Sequence, residues 1–215
     1  MLRYYCLVAR PKLHDEALRI RLLDTAAALL TSEGPDALSL RRLATAAGTS
    51  TSAVYALFGG KPGILRWLFI EAFTRFAAHL ETVTPSDDPL ADLLALGRAY
   101  RASALADPHL YAVMFGSPVP GFEPAPEDYA HAEATFAPLL DTVRRAVAAG
   151  LLRDADPYLI ATALWANVHG LVSLELGGAM PQGTGPPGEL FEAAIRANLD
   201  GWRVRALLPR DGDHR

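Results

Sequence analysis

Residues 38–65 read LSLRRLATAAGTSTSAVYALFGGKPGIL, and this stretch decides how the chain is organised. Ser39 stands where a helix N-cap is wanted, with a side-chain oxygen able to accept an orphan amide of the first turn. Behind it Leu40, Leu43, Ala44 and Ala47 recur at three- and four-residue spacing, the mark of a helix with one apolar face. Gly48 follows at once, and glycine ends a helix in a left-handed conformation at little steric cost. Ser50 then caps a second helix of about two turns, through Thr51, Ser52, Ala53, Val54, Tyr55, Ala56 and Leu57. Two short helices around a glycine-containing turn are the form in which a chain presents its second helix to a DNA major groove. The stretch implies DNA binding.

Outward from it, the pattern is helix after helix. Residues 15–33 carry Leu18, Leu22, Ala26, Leu29 and Leu30 on one face, and Gly34-Pro35 stops them. A further helix starts near Lys61 and buries Leu65, Leu68, Phe69, Ala72, Phe73, Phe76 and Leu80. The pattern resumes over residues 90–106, restarts after Asp107-Pro108 up to Phe115, and returns at 127–149, 157–176 and 187–208. Residues 116–126 hold four prolines and two glycines and read as a loop. No segment alternates with turn dipeptides as a strand would. The expected architecture is all-α with about nine helices.

Composition narrows the class. With 215 residues the chain can bury a substantial core, in one domain or two. No apolar run approaches the length that spans a bilayer, and the apolar start before Arg10-Pro11-Lys12 is too short for a secretory leader. The cytoplasm is the expected location. Cys6 is the only cysteine, which excludes an internal disulfide and a multi-thiolate metal site. The net charge of −4 is unevenly spread. Residues 10–66 have eight Lys/Arg against five Asp/Glu, whereas residues 67–215 have eleven against nineteen. Such asymmetry fits a chain of which one part meets phosphate, though ordinary scatter gives the same difference.

Residues 22–65 resemble the N-terminal DNA-binding domain of the TetR family of bacterial transcription regulators. The resemblance rests on Gly34, Ser39-Leu40, Ala44, Ala47-Gly48, Ser50, Val54-Tyr55, Phe58, Lys61 and Ile64-Leu65 in that order and spacing. Further on, Trp165-Ala166-Asn167-Val168-His169-Gly170 is similar to the Trp-His-Gly signature of one C-terminal subgroup. The chain departs from the family pattern at Thr49, where an aliphatic is usual, at Ser52, often glycine, and at Ala56-Leu57, often polar or aromatic.

Within the matched segment, Thr51, Ser52 and Ala53 are expected at the end of the second helix that meets base edges. Hydroxyls pair with any base, and an alanine suits a thymine methyl. Tyr55 and Lys61 fit phosphate, as a phenol donor and as an ammonium near a helix N-terminus. Ser50 and Arg41 complete the candidate DNA-binding set. Arg41 and Arg42 are adjacent on a helix and cannot face the same way, so at least one of them is expected to be only a solvated surface charge. Thr51 and Ser52 have a plainer possible role, capping and solvation. The arm before Asp15 carries Arg3, Arg10 and Lys12 and reads either as a minor-groove arm or as a flexible tail.

The resemblance implies a cavity among the later helices that takes a small, mostly hydrophobic effector, and a homodimer formed through the last two long helices. Candidate ligand-binding residues are Tyr100, Met114, Phe115, Phe122, Phe136, Trp165 and His169; core packing is the competing role for each. Residues 157–176 and 187–208 also offer much apolar surface, including Leu159, Leu174, Leu190, Ile195 and Leu199, which a two-fold four-helix bundle would cover. The chain then divides into a flexible basic arm (1–14), a helix-turn-helix domain (15–60), a helical effector-binding and dimerisation domain (61–208) and a disordered tail (209–215). The six histidines lie at no metal-binding spacing, and there is no P-loop, GxGxxG, GxSxG or HExxH. No catalytic residue, metal ligand or cofactor is expected. The resemblance implies a palindromic double-stranded DNA operator and a small-molecule effector as partners, with no membrane, and a ligand-responsive repressor as the expected function. The alternative is a helical small-molecule-binding or catalytic protein in which the helix-turn-helix is only structural.

Overall fold

The computed structural model describes residues 12–116 and 122–204. Arg3, Cys6, Arg10, the middle of the 116–126 loop and the tail from 205 lie outside them, as does most of the expected basic arm. Among the described residues the fold is all-α, with nine helices and no β-strand. They are α1 (Lys12–Glu33), α2 (Leu40–Ala46), α3 (Thr51–Phe58), α4 (Lys61–Leu80), α5 (Pro89–Ala106), α6 (Pro108–Phe115), α7 (Tyr129–Ala148), α8 (Pro157–Leu176) and α9 (Pro187–Trp202).

Local chemistry sets the ends. Ser39 is extended (φ −120°, ψ 150°) and its hydroxyl accepts from Arg42 N. Gly34, Gly48 and Gly59 take φ of 85°, 65° and 70°, closing α1, α2 and α3 where a side chain would be strained. Asp107 and Asp156 cap α6 and α8, each with a proline in the first turn, a position where the missing N–H costs nothing. The expected helix over 187–208 ends at Trp202, because the chain there becomes extended and pairs backbone with the turn after α7: Arg153 N donates to Trp202 O and Val204 N to Leu151 O. That pairing depends on residues fifty positions away and has no local signal.

The described chain groups into two compact units, residues 1–74 with 107–131, and residues 75–106 with 132–215, so the division falls inside α4. In the first, Leu22, Leu23, Ala26 and Leu30 of α1 meet Leu43, Val54, Phe58, Ile64 and Leu68 of α2 to α4. Leu110 of α6 joins this core, and the Thr31 hydroxyl is hydrogen-bonded to His109 Nδ1. By contact α6 therefore belongs with the helix-turn-helix helices, which periodicity alone does not show. In the second unit, Leu93, Leu140, Val143, Ile160, Ala161, Leu164 and Leu199 form the core of α5, α7, α8 and α9.

By length and composition α8 is apolar enough to cross a membrane, with a mean hydropathy of 1.4. This corrects the expectation drawn from unbroken runs, since Asn167 and His169 interrupt the run without lowering its average much. One such helix is no membrane assignment, because core and interface helices meet the same test. Only 22% of that window is buried, so much of its apolar surface faces outward from the single chain.

Two glycines inside helices serve opposite ends. A Cβ at Gly63 would run into the carbonyl oxygen of Phe58, whereas one at Gly97 would rest 3.6 Å from Ile195 and Val168 methyls, an ordinary contact. Alanine is worth about 1 kcal/mol over glycine in a helix interior. Gly63→Ala should nonetheless destabilise the protein by about 1–3 kcal/mol, since a backbone oxygen cannot step aside as a side chain does. Gly97→Ala should be neutral or stabilising by up to about 1 kcal/mol. Denaturant midpoints of the two variants check this ordering.

Candidate nucleic-acid interface and effector region

The roll of α3 about its axis is set by burial. Val54 is fully buried and Phe58 nearly so, while Leu57 packs half-buried against the same core. The opposite face, Thr51, Ser52, Tyr55 and Ala56, is exposed, with Tyr55 62% accessible. No charged residue lies on α3. Ser50 Oγ accepts from Ala53 N at 3.1 Å, satisfying a first-turn amide, and shares a 2.9 Å hydrogen bond with Ser52 Oγ. The capping role expected for Ser50 is therefore present, and it holds the Ser52 hydroxyl at the helix entrance. Ala53, expected at the base edges, is half-buried. Ala56 was missed as a surface residue, although its spacing of four from Ser52 places both on one face.

The cations around α3 divide. Arg42 donates to both carboxylate oxygens of Glu33. It is thus tied to α1, while Arg41 is exposed. Lys61 opens α4 and is half-buried. Behind it Arg66 holds the nearly inaccessible Asp128 through Nε at 3.0 and 2.9 Å, and Asp128 also accepts from Ala125 N at 3.1 Å. The Arg66 guanidinium holds the Asp128 carboxyl below the usual range, against the opposing effect of burial. Glu127 adds a longer contact at 3.3 Å. The start of α7 is thereby fastened to α4 by a pairing that no sequence motif announces.

Four of the seven candidate effector residues come together in the second unit. The Tyr100 hydroxyl is 3.0 Å from His169 Nδ1, and Ser173 Oγ lies 3.5 Å from Nε2. The Trp165 and His169 rings are 5.7 Å apart, Phe136 meets Trp165 edge-on at 6.3 Å, and Phe76 meets Tyr100 edge-on at 5.0 Å. Burial lowers the His169 pKa below its ordinary value, favouring the neutral ring. Met114, Phe115 and Phe122 lie in the first unit. Met114 and Phe122 pack on the α1–α4 core, and Phe115 packs against Phe73 and Tyr111. Among the described residues, no three His, Cys, Asp or Glu side chains gather as metal ligands.

Two family models match the chain: bacterial regulatory proteins of the tetR family over residues 22–67, and the tetracyclin repressor-like C-terminal domain over residues 93–198. An HTH-type transcriptional regulator of Mycobacterium tuberculosis is 27% identical over 222 aligned positions, covering 89% of this chain and 94% of that protein. Among solved structures, one described as a regulatory protein, SCO4313, is 30% identical with a TM-score of 0.73, covering 89% of this chain and 100% of that one. The TetR family transcriptional regulator PfmR from Thermus thermophilus is 25% identical with a TM-score of 0.69, covering 84% of this chain and 97% of that one. With a helix-turn-helix whose second helix shows its polar face to solvent, and with relatives matched over nearly their whole length, the chain belongs to the TetR family of DNA-binding transcriptional regulators.

Proposed function

We propose that the protein is a cytoplasmic, homodimeric repressor that binds a palindromic operator and is released by a small, mostly hydrophobic effector. The observation that carries this reading is the exposed, hydroxyl-bearing face of α3 over a buried Val54 and Phe58. Thr51 and Ser52 meet base edges; Tyr55, Lys61 and Arg41 meet phosphates on either side; Ser50 serves the groove by ordering Ser52. The reading assigns no reaction to the protein. Lys61→Ala should weaken binding to all sequences and reduce the salt slope by about one per subunit, since one fewer counterion is released. Thr51→Ala should instead change the preference among sites. Binding isotherms across a salt series, with an operator and a scrambled duplex, separate the two effects.

The dimer rests on a stripe of α8: Leu159 and Leu174, 56% and 43% exposed, with Thr162, Ala166 and Gly170 between them. Ala193, Ala197 and Gly201 give α9 a comparable exposed face. Apart from the neighbouring residues and backbone of α8 itself, no heavy atom of the chain lies within 4 Å of where a Gly170 Cβ would stand, which leaves room for a partner helix to approach. Ile195 and Leu199, expected in this interface, are 5% and 4% exposed and pack inside one subunit, so charges there would unfold the monomer. Leu159→Glu combined with Leu174→Glu is the cleaner test. Both sites are open in the single chain, so the variant should fold, sediment as a monomer and lose binding to the two-half-site operator.

For the effector, the Tyr100–His169 pair beside Trp165 and Phe136 supplies an aromatic wall with one polar point, as a mostly apolar ligand with a polar group requires. The same reading keeps this region with the Trp-His-Gly subgroup. The imidazole provides the working probe. Its folded pKa is depressed, so its contribution to stability is present above the ordinary imidazole value of about 6.5 and is lost as pH falls below it. His169→Asn should flatten the decline of the unfolding midpoint between pH 7 and pH 5. It should also blunt release of operator by any compound recovered in a thermal-shift screen.

A further inference from the structure

The recognition face of α3 is neutral, and this restricts how it can read DNA. It has no arginine or lysine for the bidentate contact with guanine and no Asn or Gln for the bidentate contact with adenine. The exposed side chains are Thr51, Ser52, Tyr55 and Ala56. Tyr55 projects furthest and lies one helical step from Ala56, while Ser52 lies one turn before it, with Cβ atoms about 5–6 Å apart. The helix is eight residues long. At about 1.5 Å per residue, Ala56 is only about 7–8 Å along the axis from Thr51, so a groove that receives the N-terminal turn also receives Ala56.

A methyl side chain makes no hydrogen bond to a base edge. Its sequence-dependent partner in the major groove is the C5-methyl of thymine, which cytosine lacks. Ala53, half-buried, offers less of its methyl group than the exposed Ala56. We propose that Ala56 is a specificity-determining residue whose methyl group packs on the C5-methyl of a thymine, beside the base read by Ser52. The inference rests on α3 being the helix that enters the groove and goes beyond it by naming the base and the contact.

The test uses the full-length protein and an operator duplex recovered with it from a random pool. Each thymine is replaced in turn by deoxyuridine, which removes only the C5-methyl. One thymine in each half-site should be sensitive, its replacement weakening wild-type binding about three- to fivefold per half-site, as expected for one buried methyl. Ala56→Gly should lose a similar factor on the thymine operator and show no further loss on the deoxyuridine duplex. Ala56→Asn, which keeps a side chain on the helix, should move the base preference at that position toward adenine. The wild-type scan needs no variant to fold. If no thymine is sensitive, or if Ala56→Gly keeps the full deoxyuridine penalty, the contact is wrong. If Thr51→Ala and Ser52→Ala also leave base preference unchanged, the placement of α3 in the groove falls with it.

Discussion

Two side chains, Val54 and Phe58, hold α3, the second helix of the helix-turn-helix, in its roll. Each is withdrawn from water into a core made by α1, α2 and α4, at about 1.5–3 kcal/mol apiece, and they sit one turn apart on the same face. A helix of eight residues has too few internal hydrogen bonds to be stable alone, so its existence as well as its orientation depends on that burial. The neighbouring glycines extend the same constraint. Gly59 and Gly60 turn the chain at positive φ, and Gly63 lets α4 begin against the Phe58 carbonyl. α3 and α4 are therefore placed together at one tight corner.

Charge serves chiefly to fasten this part of the molecule. Arg42 is spent on Glu33, and Arg66 on Asp128 and Glu127. Burying a carboxylate such as Asp128 is costly unless its lone pairs are filled, and a guanidinium with a backbone amide fills them. The positive balance of residues 10–66 is thus only partly available to phosphate. In the proposed reading, a neutral α3 places weight on hydroxyl and methyl contacts, which discriminate bases without adding much non-specific attraction.

In the second unit, the apolar residues of α8 divide among three sides. On α8, Ile160, Ala161, Leu164, Val168 and Val172 bury within the chain. Leu159, Ala166 and Leu174 do not, and on a third side Trp165 and His169 gather with Tyr100 and Phe136. A helix that is apolar nearly all round reads as a membrane span by average, yet its three sides here meet three different surroundings.

What the sequence by itself determined is what short-range physics controls. Ser39 and Ser50 cap helices through bonds to amides three residues on, and Gly34 and Gly48 end them through φ; these, with three- and four-residue apolar spacing, made the all-α order and the helix-turn-helix legible. Only the tertiary structure decided which apolar residues face inward within one chain. Ile195 and Leu199 are core although their pattern equally suits an interface, and Met114, Phe115 and Phe122 pack within the first unit. It also decided that Ala56 faces water while Ala53 is half-covered, that Arg66 finds Asp128 sixty-two residues on, and that α9 stops at Trp202. Each of these depends on a partner distant in sequence, and periodicity records that a face is apolar without recording what lies against it.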